Sequence, residues 1–251
     1  KADCISRSLI SMEEKTVHPL DGGRIDLAVY NEANAIFFCC QSELEEEEDY
    51  SELFGDRPQW TEAVASGRFL PLELYQDDCF NVRFVLGELT ETEKSEWVGR
   101  VTTKLSLPSG ALALSAGFEA LYGEVYEENI HLVEVPRGSY RATVYAYLPG
   151  VNGDWHLEEA GFEGDLEEWF NDTRPGMEIS QWLEARLNEE EDEDEGIEYV
   201  HFLVHLEPIS DEDEVPFTLT EEGALEPETR IPDACPLGIE TENLVETSDE
   251  E

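Results

Sequence analysis

The sequence predicts a mainly β protein, an antiparallel β-sandwich with an α+β C-terminal extension that contains two short helices. Three observations carry this expectation. Short apolar runs bounded by Gly, Pro, Asn and Ser recur through the first half at intervals of roughly 8–12 residues. No long helical pattern separates consecutive runs, which argues against a βαβ sheet. Beyond Pro149-Gly150-Val151-Asn152-Gly153, a stretch that reads as a turn or short linker, apolar residues recur at helical spacing. The 251 residues are 40% hydrophobic and 10% aromatic, enough to bury a core without disulfide staples.

The elements follow in order. Arg24–Tyr30 and Ala35–Cys40 flank Asn31-Glu32-Ala33-Asn34, a polar connection of hairpin length. Pro58–Ala65 reads as a short helix with Trp60 and Val64 on one side, ended by Gly67. Strands are expected at Asn81–Leu86, Gly99–Leu107, Ala111–Ser115, Gly123–Tyr126, His131–Val135 and Tyr140–Leu148, with turns at Pro108-Ser109-Gly110 and Pro136-Arg137-Gly138. In the last strand Tyr140, Ala142, Val144, Ala146 and Leu148 share one face and Arg141, Thr143, Tyr145 and Tyr147 the other, so both faces need cover. The two helices are Asp165–Asp172, carrying Leu166, Trp169 and Phe170, and Ile179–Leu187, carrying Trp182 and Leu183, with Arg174-Pro175-Gly176 between them. Glu198–Leu206 is a strand with Val200, Phe202, Val204 and Leu206 inward, and the Pro-interrupted Pro216–Leu244 is an extended strap. This divides the chain into a sandwich domain, 1–148, and an acidic extension packing on it, 149–251.

Charge is the second strong signal. There are 61 acidic and 15 basic residues, a formal charge of -46. It is uneven: 81–120 holds five acidic and four basic residues, whereas 161–251 holds 31 and three. Such a surface attracts cations and basic proteins and repels nucleic acid and anionic membranes. Three runs stand out: Glu45, Glu46, Glu47, Glu48 and Asp49; Glu189, Glu190, Glu191, Asp192, Glu193, Asp194 and Glu195; and Asp211, Glu212, Asp213 and Glu214. Carboxylates this close repel one another, so each run favours a solvated loop unless a basic partner neutralises it. These runs are the candidate partner-binding residues, imitating a phosphate backbone for a basic protein.

The segments Pro58-Gln59-Trp60-Thr61-Glu62-Ala63, Val82–Leu86, Leu107–Leu114, and Val135-Pro136-Arg137-Gly138-Ser139-Tyr140 up to Val144-Tyr145 resemble, in order and spacing, the competence-nuclease inhibitor family (ComJ or Nin). The resemblance covers roughly residues 20–148 and rests on structural signatures. It implies a small domain that binds and inhibits a DNA-entry nuclease. No inhibitory residue is carried over, and residues 149–251 have no counterpart in the short inhibitor.

Other chemistries find no motif. No stretch fits the Asp-x-Asp-x-Asp-Gly calcium loop. His201 and His205, four apart on a strand, lie roughly 13 Å apart and cannot share a zinc; they read as an outward-facing pair. Cys39, Cys40 and Cys79 read as inert thiols, and neither a nucleophile elbow nor a phosphate-binding glycine loop occurs. Five cysteines in an odd set, no secretory apolar segment and no run of about 18 apolar residues point to a reducing cytoplasm and no membrane span. The expected function is that of a non-enzymatic acidic protein without catalytic residues, metal or cofactor, engaging a basic protein such as a nuclease or toxin and no nucleic acid directly. A carboxylate-based hydrolase, or a structural domain whose charge confers only solubility, are the rival readings.

Overall fold

The computed structural model describes residues 16–31, 34–45, 50–75, 78–116, 130–188 and 198–245. In chain order the first half contains strands β1 (Val17–Pro19), β2 (Arg24–Asn31) and β3 (Ala35–Cys40), and helices α1 (Gln41–Glu45), α2 (Ser51–Gly55) and α3 (Arg57–Ala65). Strands β4 (Phe69–Glu73) and β5 (Asp78–Leu86), helix α4 (Glu91–Ser95), and strands β6 (Trp97–Leu107), β7 (Ala111–Ala116), β8 (Ile130–Glu134) and β9 (Gly138–Tyr147) follow. The second half adds helices α5 (Val151–Glu159), α6 (Leu166–Thr173) and α7 (Gln181–Asn188), then β10 (Phe202–Ile209) and β11 (Glu228–Thr229). The expected strand at Gly123–Tyr126 lies outside the described residues.

The strands form two sheets, one of five in the order β1-β8-β7-β3-β4 and one of six in the order β11-β6-β9-β10-β5-β2. Both face one core, in which Phe38 of β3 meets Phe84 of β5 edge to face at 6.3 Å, and Leu105 of β6 and Phe202 of β10 are buried. Most pairs are antiparallel, as expected, but both sheets are mixed: β1 pairs with β8 in parallel, and β10 pairs with β5 in parallel. Parallel partners require long crossover connections, and both pairs join strands remote in sequence.

The expected β2–β3 hairpin is also overturned. β2 pairs with β5 in the six-stranded sheet, whereas β3 lies between β7 and β4 in the other. All six residues of β3 are buried, so this run belongs in the middle of a sheet covered on both faces. The same device recurs. The connections β4–β5, β6–β7 and β8–β9 each carry the chain from one sheet to the other. Three or four extended residues span the ~10 Å between packed sheets as readily as they close a hairpin.

The chain beyond residue 149 was expected to pack on a finished sandwich, yet it supplies a central strand. β10 is bonded on one side to β9, with Val204 opposite Val144, and on the other to β5, with Val204 opposite Phe84. It arrives after three helices where two were expected. The added helix, α5, begins in the stretch read as a linker, and Gly153 explains the misreading. A Cβ there would lie 2.3 Å from the Tyr147 carbonyl oxygen, so glycine marks a close approach of helix to strand. His205 is buried rather than outward, its Nε2 2.7 Å from the Gly87 carbonyl, because the second face of the six-stranded sheet is also covered.

The strap was anticipated and runs across most of the protein. Leu225 bonds to Pro71 of β4, Arg230 to Val98 of β6, Ile239 to Val200 and Val245 to Asp26 of β2. Its fastening is polar. Trp60 of α3 donates through Nε1 to the Gly223 carbonyl at 2.8 Å, and the Glu96 carboxylate accepts from the amides of Leu237 and Gly238. Near the edge, Arg83 of β5 holds both oxygens of Asp26 at 2.7 Å and donates to the Glu240 carbonyl. Arg83 and Arg24 both reach Glu93, which closes a capping box on α4 with Thr90. Burial would raise the Glu93 carboxyl, but hydrogen bonds from Arg24 and Thr90 outweigh it and hold it at about 2.

Asp26, Arg83 and Glu93 are buried, so removing Arg83 leaves the Asp26 carboxylate buried without a cation, while Glu93 keeps Arg24. Arg83→Met is expected to cost about 3–5 kcal/mol in urea unfolding. A loss below about 1 kcal/mol, the range of an exposed pair, would show that the network does not anchor this edge.

Candidate acidic binding surface

Of the three acidic runs, Asp211–Glu214 is described in full. It forms the exposed turn after β10, and half of its carboxylates shape that turn. Asp211 accepts from the Ser139 hydroxyl at 2.6 Å, and Asp213 accepts from the Ser210 amide at 2.8 Å. Lys104 of β6 donates to the carbonyls of Asp211 and Asp213. Glu212 and Glu214 remain exposed. Glu45 ends α1, while Glu46, Glu47, Glu48, Asp49 and the whole run Glu189–Glu195 lie outside the described residues.

The flanking residues show which runs start from the same part of the fold. Ile209, just before the third run, pairs with Ser139, which also pairs with Ser106 near the end of β6. Cys40, just before α1, has its sulfur 3.0 Å from the Ser109 hydroxyl beyond that same end. Glu198, the first described residue after the second run, precedes β10, whose Phe202 pairs with Ala146 at the opposite end of the sheet. Eight residues of β10 separate the two ends, roughly 26 Å.

The cations settle what the surface looks like. Arg24, Arg68, Lys94, Arg100 and Arg186 are paired with Glu93, Glu43, Glu91, Glu228 and Asp154. Arg83 lies in the buried network. Arg57 donates to the carbonyls of Leu219, Thr220 and Glu221, Arg174 to that of Cys235, and Arg230 to those of Lys94, Ser95 and Trp97. Among the described residues only Arg137 and Arg141 have neither an ion pair nor a hydrogen bond from their guanidinium groups. With 15 basic residues against 61 acidic ones, most exposed carboxylates have no cation partner and the outward surface stays strongly negative.

The helical layer concentrates that charge. Asp165 caps α6 by accepting from the Glu168 amide, and Phe170, with Leu166 and Trp169, packs inward against Val98, Leu148 and Leu183. The opposite side of α6 therefore presents Glu167, Glu168 and Asp172, all exposed. Glu158 and Glu159 at the end of α5, Glu163, Glu178, and Glu184 of α7 are exposed as well. Counting contiguous runs misses these residues, because on a helix carboxylates three or four positions apart, such as Glu168 and Asp172, share one face. The signal was available: the spacing that turns Leu166, Trp169 and Phe170 inward turns the acidic residues outward.

No protein-family model matches the chain, and no curated protein matches it. Among solved structures it is similar to the crocagin biosynthetic gene J protein, at 17% identity over 74% of this chain and 96% of that one, with a TM-score of 0.36. It is also similar to ComJ, inhibitor of the DNA degrading activity of NucA, from Bacillus subtilis, at 12% identity over 52% of this chain and 86% of that one, with a TM-score of 0.32. At scores this low neither likeness carries a function to this chain.

The helical layer is seated on the sheet partly through His156 of α5. Its ring lies so close to Gly99 of β6 that a Cβ there would be 2.4 Å away, and its Nδ1 is buried without a hydrogen-bond partner among the described residues. Burial lowers this imidazole to about 4. The folded state thus holds it neutral, while the unfolded chain takes up a proton near pH 6.5, so stability falls as pH drops from 6.5 towards 4. His156→Leu should flatten this slope, narrowing the loss between pH 7 and pH 5 by about 2 kcal/mol in denaturant titrations. An unchanged slope would contradict a buried neutral imidazole.

Proposed function

We propose that this chain is a non-enzymatic binding protein that engages a basic protein surface through its exposed carboxylates. The observation that supports the reading most is that the few described cations are held elsewhere than at the exposed carboxylates of the helical layer and the Asp211–Glu214 turn. Among the described residues, Arg57, Lys104 and Arg230 hold backbone carbonyls and pair with no carboxylate, and Arg83 and Arg174 are taken up by the buried Asp26, Glu93 and Glu96, so the exposed carboxylates of α6 and of the Asp211–Glu214 turn have no cation partner there. An outward field of one sign steers an oppositely charged partner and discourages others. The acidic helical layer and the Asp211–Glu214 turn give that field ordered parts, as a binding surface needs. The motifs of residues 20–148 that resemble competence-nuclease inhibitors make a nuclease the first partner class to test, with the carboxylates standing where DNA phosphates would.

Immobilised protein should retain a basic nuclease at low ionic strength, with affinity falling about tenfold between ~50 and ~300 mM salt. Duplex DNA should compete for the nuclease. The triple variant Glu167→Gln, Glu168→Gln, Asp172→Asn should retain less of it without a change in unfolding midpoint. Failure to retain any salt-sensitive basic partner would overturn the proposal and leave charge as a device for solubility.

A further inference from the structure

The strap does not lie flat on β6. On this strand Arg100, Thr102 and Lys104 alternate with buried Val101, Thr103 and Leu105, so the three share the face turned away from the core. The strap is fastened over that face at both ends. Lys104 holds the carbonyls of Asp211 and Asp213, and Arg100 holds Glu228 at 2.7 Å while stacking on the Trp97 ring at 4.5 Å. Between these fastenings the strap arches and leaves a cleft of about 160 Å³ over Thr102. One water needs only ~10–15 Å³ of such space, so the cleft has room for a side chain.

Its chemistry is two-sided. Pro216, Phe217 and Leu225 supply apolar surface. The charged groups on its wall are Arg100, Glu226 and Glu228, and Arg100 is already paired with Glu228. One carboxylate, Glu226, is left over, and the exposed Glu212 and Glu214 stand just before Pro216 at the same stretch of strap. An apolar slot with one surplus negative charge complements a flexible methylene stem that ends in one positive charge.

We infer that this cleft seats a single lysine or arginine side chain of the basic partner, its methylenes against Phe217 and Leu225 and its charge at Glu226. The inference rests on the binding reading above and adds where a basic side chain is gripped. Broad attraction alone would leave partners interchangeable, whereas a slot that takes one side chain gives register.

The test uses the full chain and an oligolysine peptide, followed by NMR at low salt, with the same peptide fully acetylated as control. Saturable shifts centred on Thr102, Phe217 and Thr218 are expected, absent with the acetylated peptide. Glu226→Gln, an exposed substitution, should weaken binding about threefold. If oligolysine binds but shifts only the helical layer, or if Glu226→Gln changes nothing, the cleft assignment falls while the binding reading stands. If no salt-sensitive binding occurs at all, both fall.

Discussion

Shortage of positive charge is the constraint on which the rest of this structure depends. With 15 basic residues against 61 acidic ones, most carboxylates must be left to water. Exposed carboxylates lose little by that, whereas buried ones and buried carbonyls lose much. The described cations sit accordingly. Asp26 and Glu93 share Arg83, Glu93 also takes Arg24, and Glu96 has Arg174 at 3.5 Å besides two strap amides. Several of the remaining cations hold strap carbonyls. A single distribution of charge therefore closes the fold and leaves the exterior anionic.

The strap is the element most exposed to this constraint. It has almost no ladder of its own, only the two residues of β11 and scattered bridges, so its backbone groups need partners from elsewhere. Arg57 meets three successive carbonyls, Arg230 reaches back to three others from within the strap, and Trp60 supplies a buried indole donor. These contacts let an extended segment run along β6 while joining the sheet only at Glu228–Thr229, and the cleft at Thr102 lies beyond that short pairing.

Insertion of β10 between β9 and β5 gives the two halves of the chain one hydrogen-bonded sheet. Residues 150–188 must fold back before β10 can reach its slot, and such long-range pairing is costly in chain entropy. It also explains why helices α5, α6 and α7 are available as a surface. They lie in the long connection from β9 to its antiparallel neighbour β10, and their polar sides face water because their apolar sides are packed inward.

By itself the sequence determined where β2, β3 and β5 to β10 are but not β1 or β4, where α3, α6 and α7 are, that a strap follows, and that the second half carries the charge. Period, turn residues and composition are local, and runs such as Ala35–Cys40 or the alternation in β9 are legible without a fold. Only the tertiary structure decided which strands pair, since the polar links at Asn31–Asn34 and Pro108–Gly110 suit a hairpin and a crossing between sheets equally well. It revealed α5, because Gly153 serves a close contact with Tyr147 that no local pattern records. It also moved attention from acidic runs to an acidic face. A charge run is a property of neighbours in sequence, but the field a partner meets depends on which carboxylates stay unpaired, and that is set by where a few cations are held.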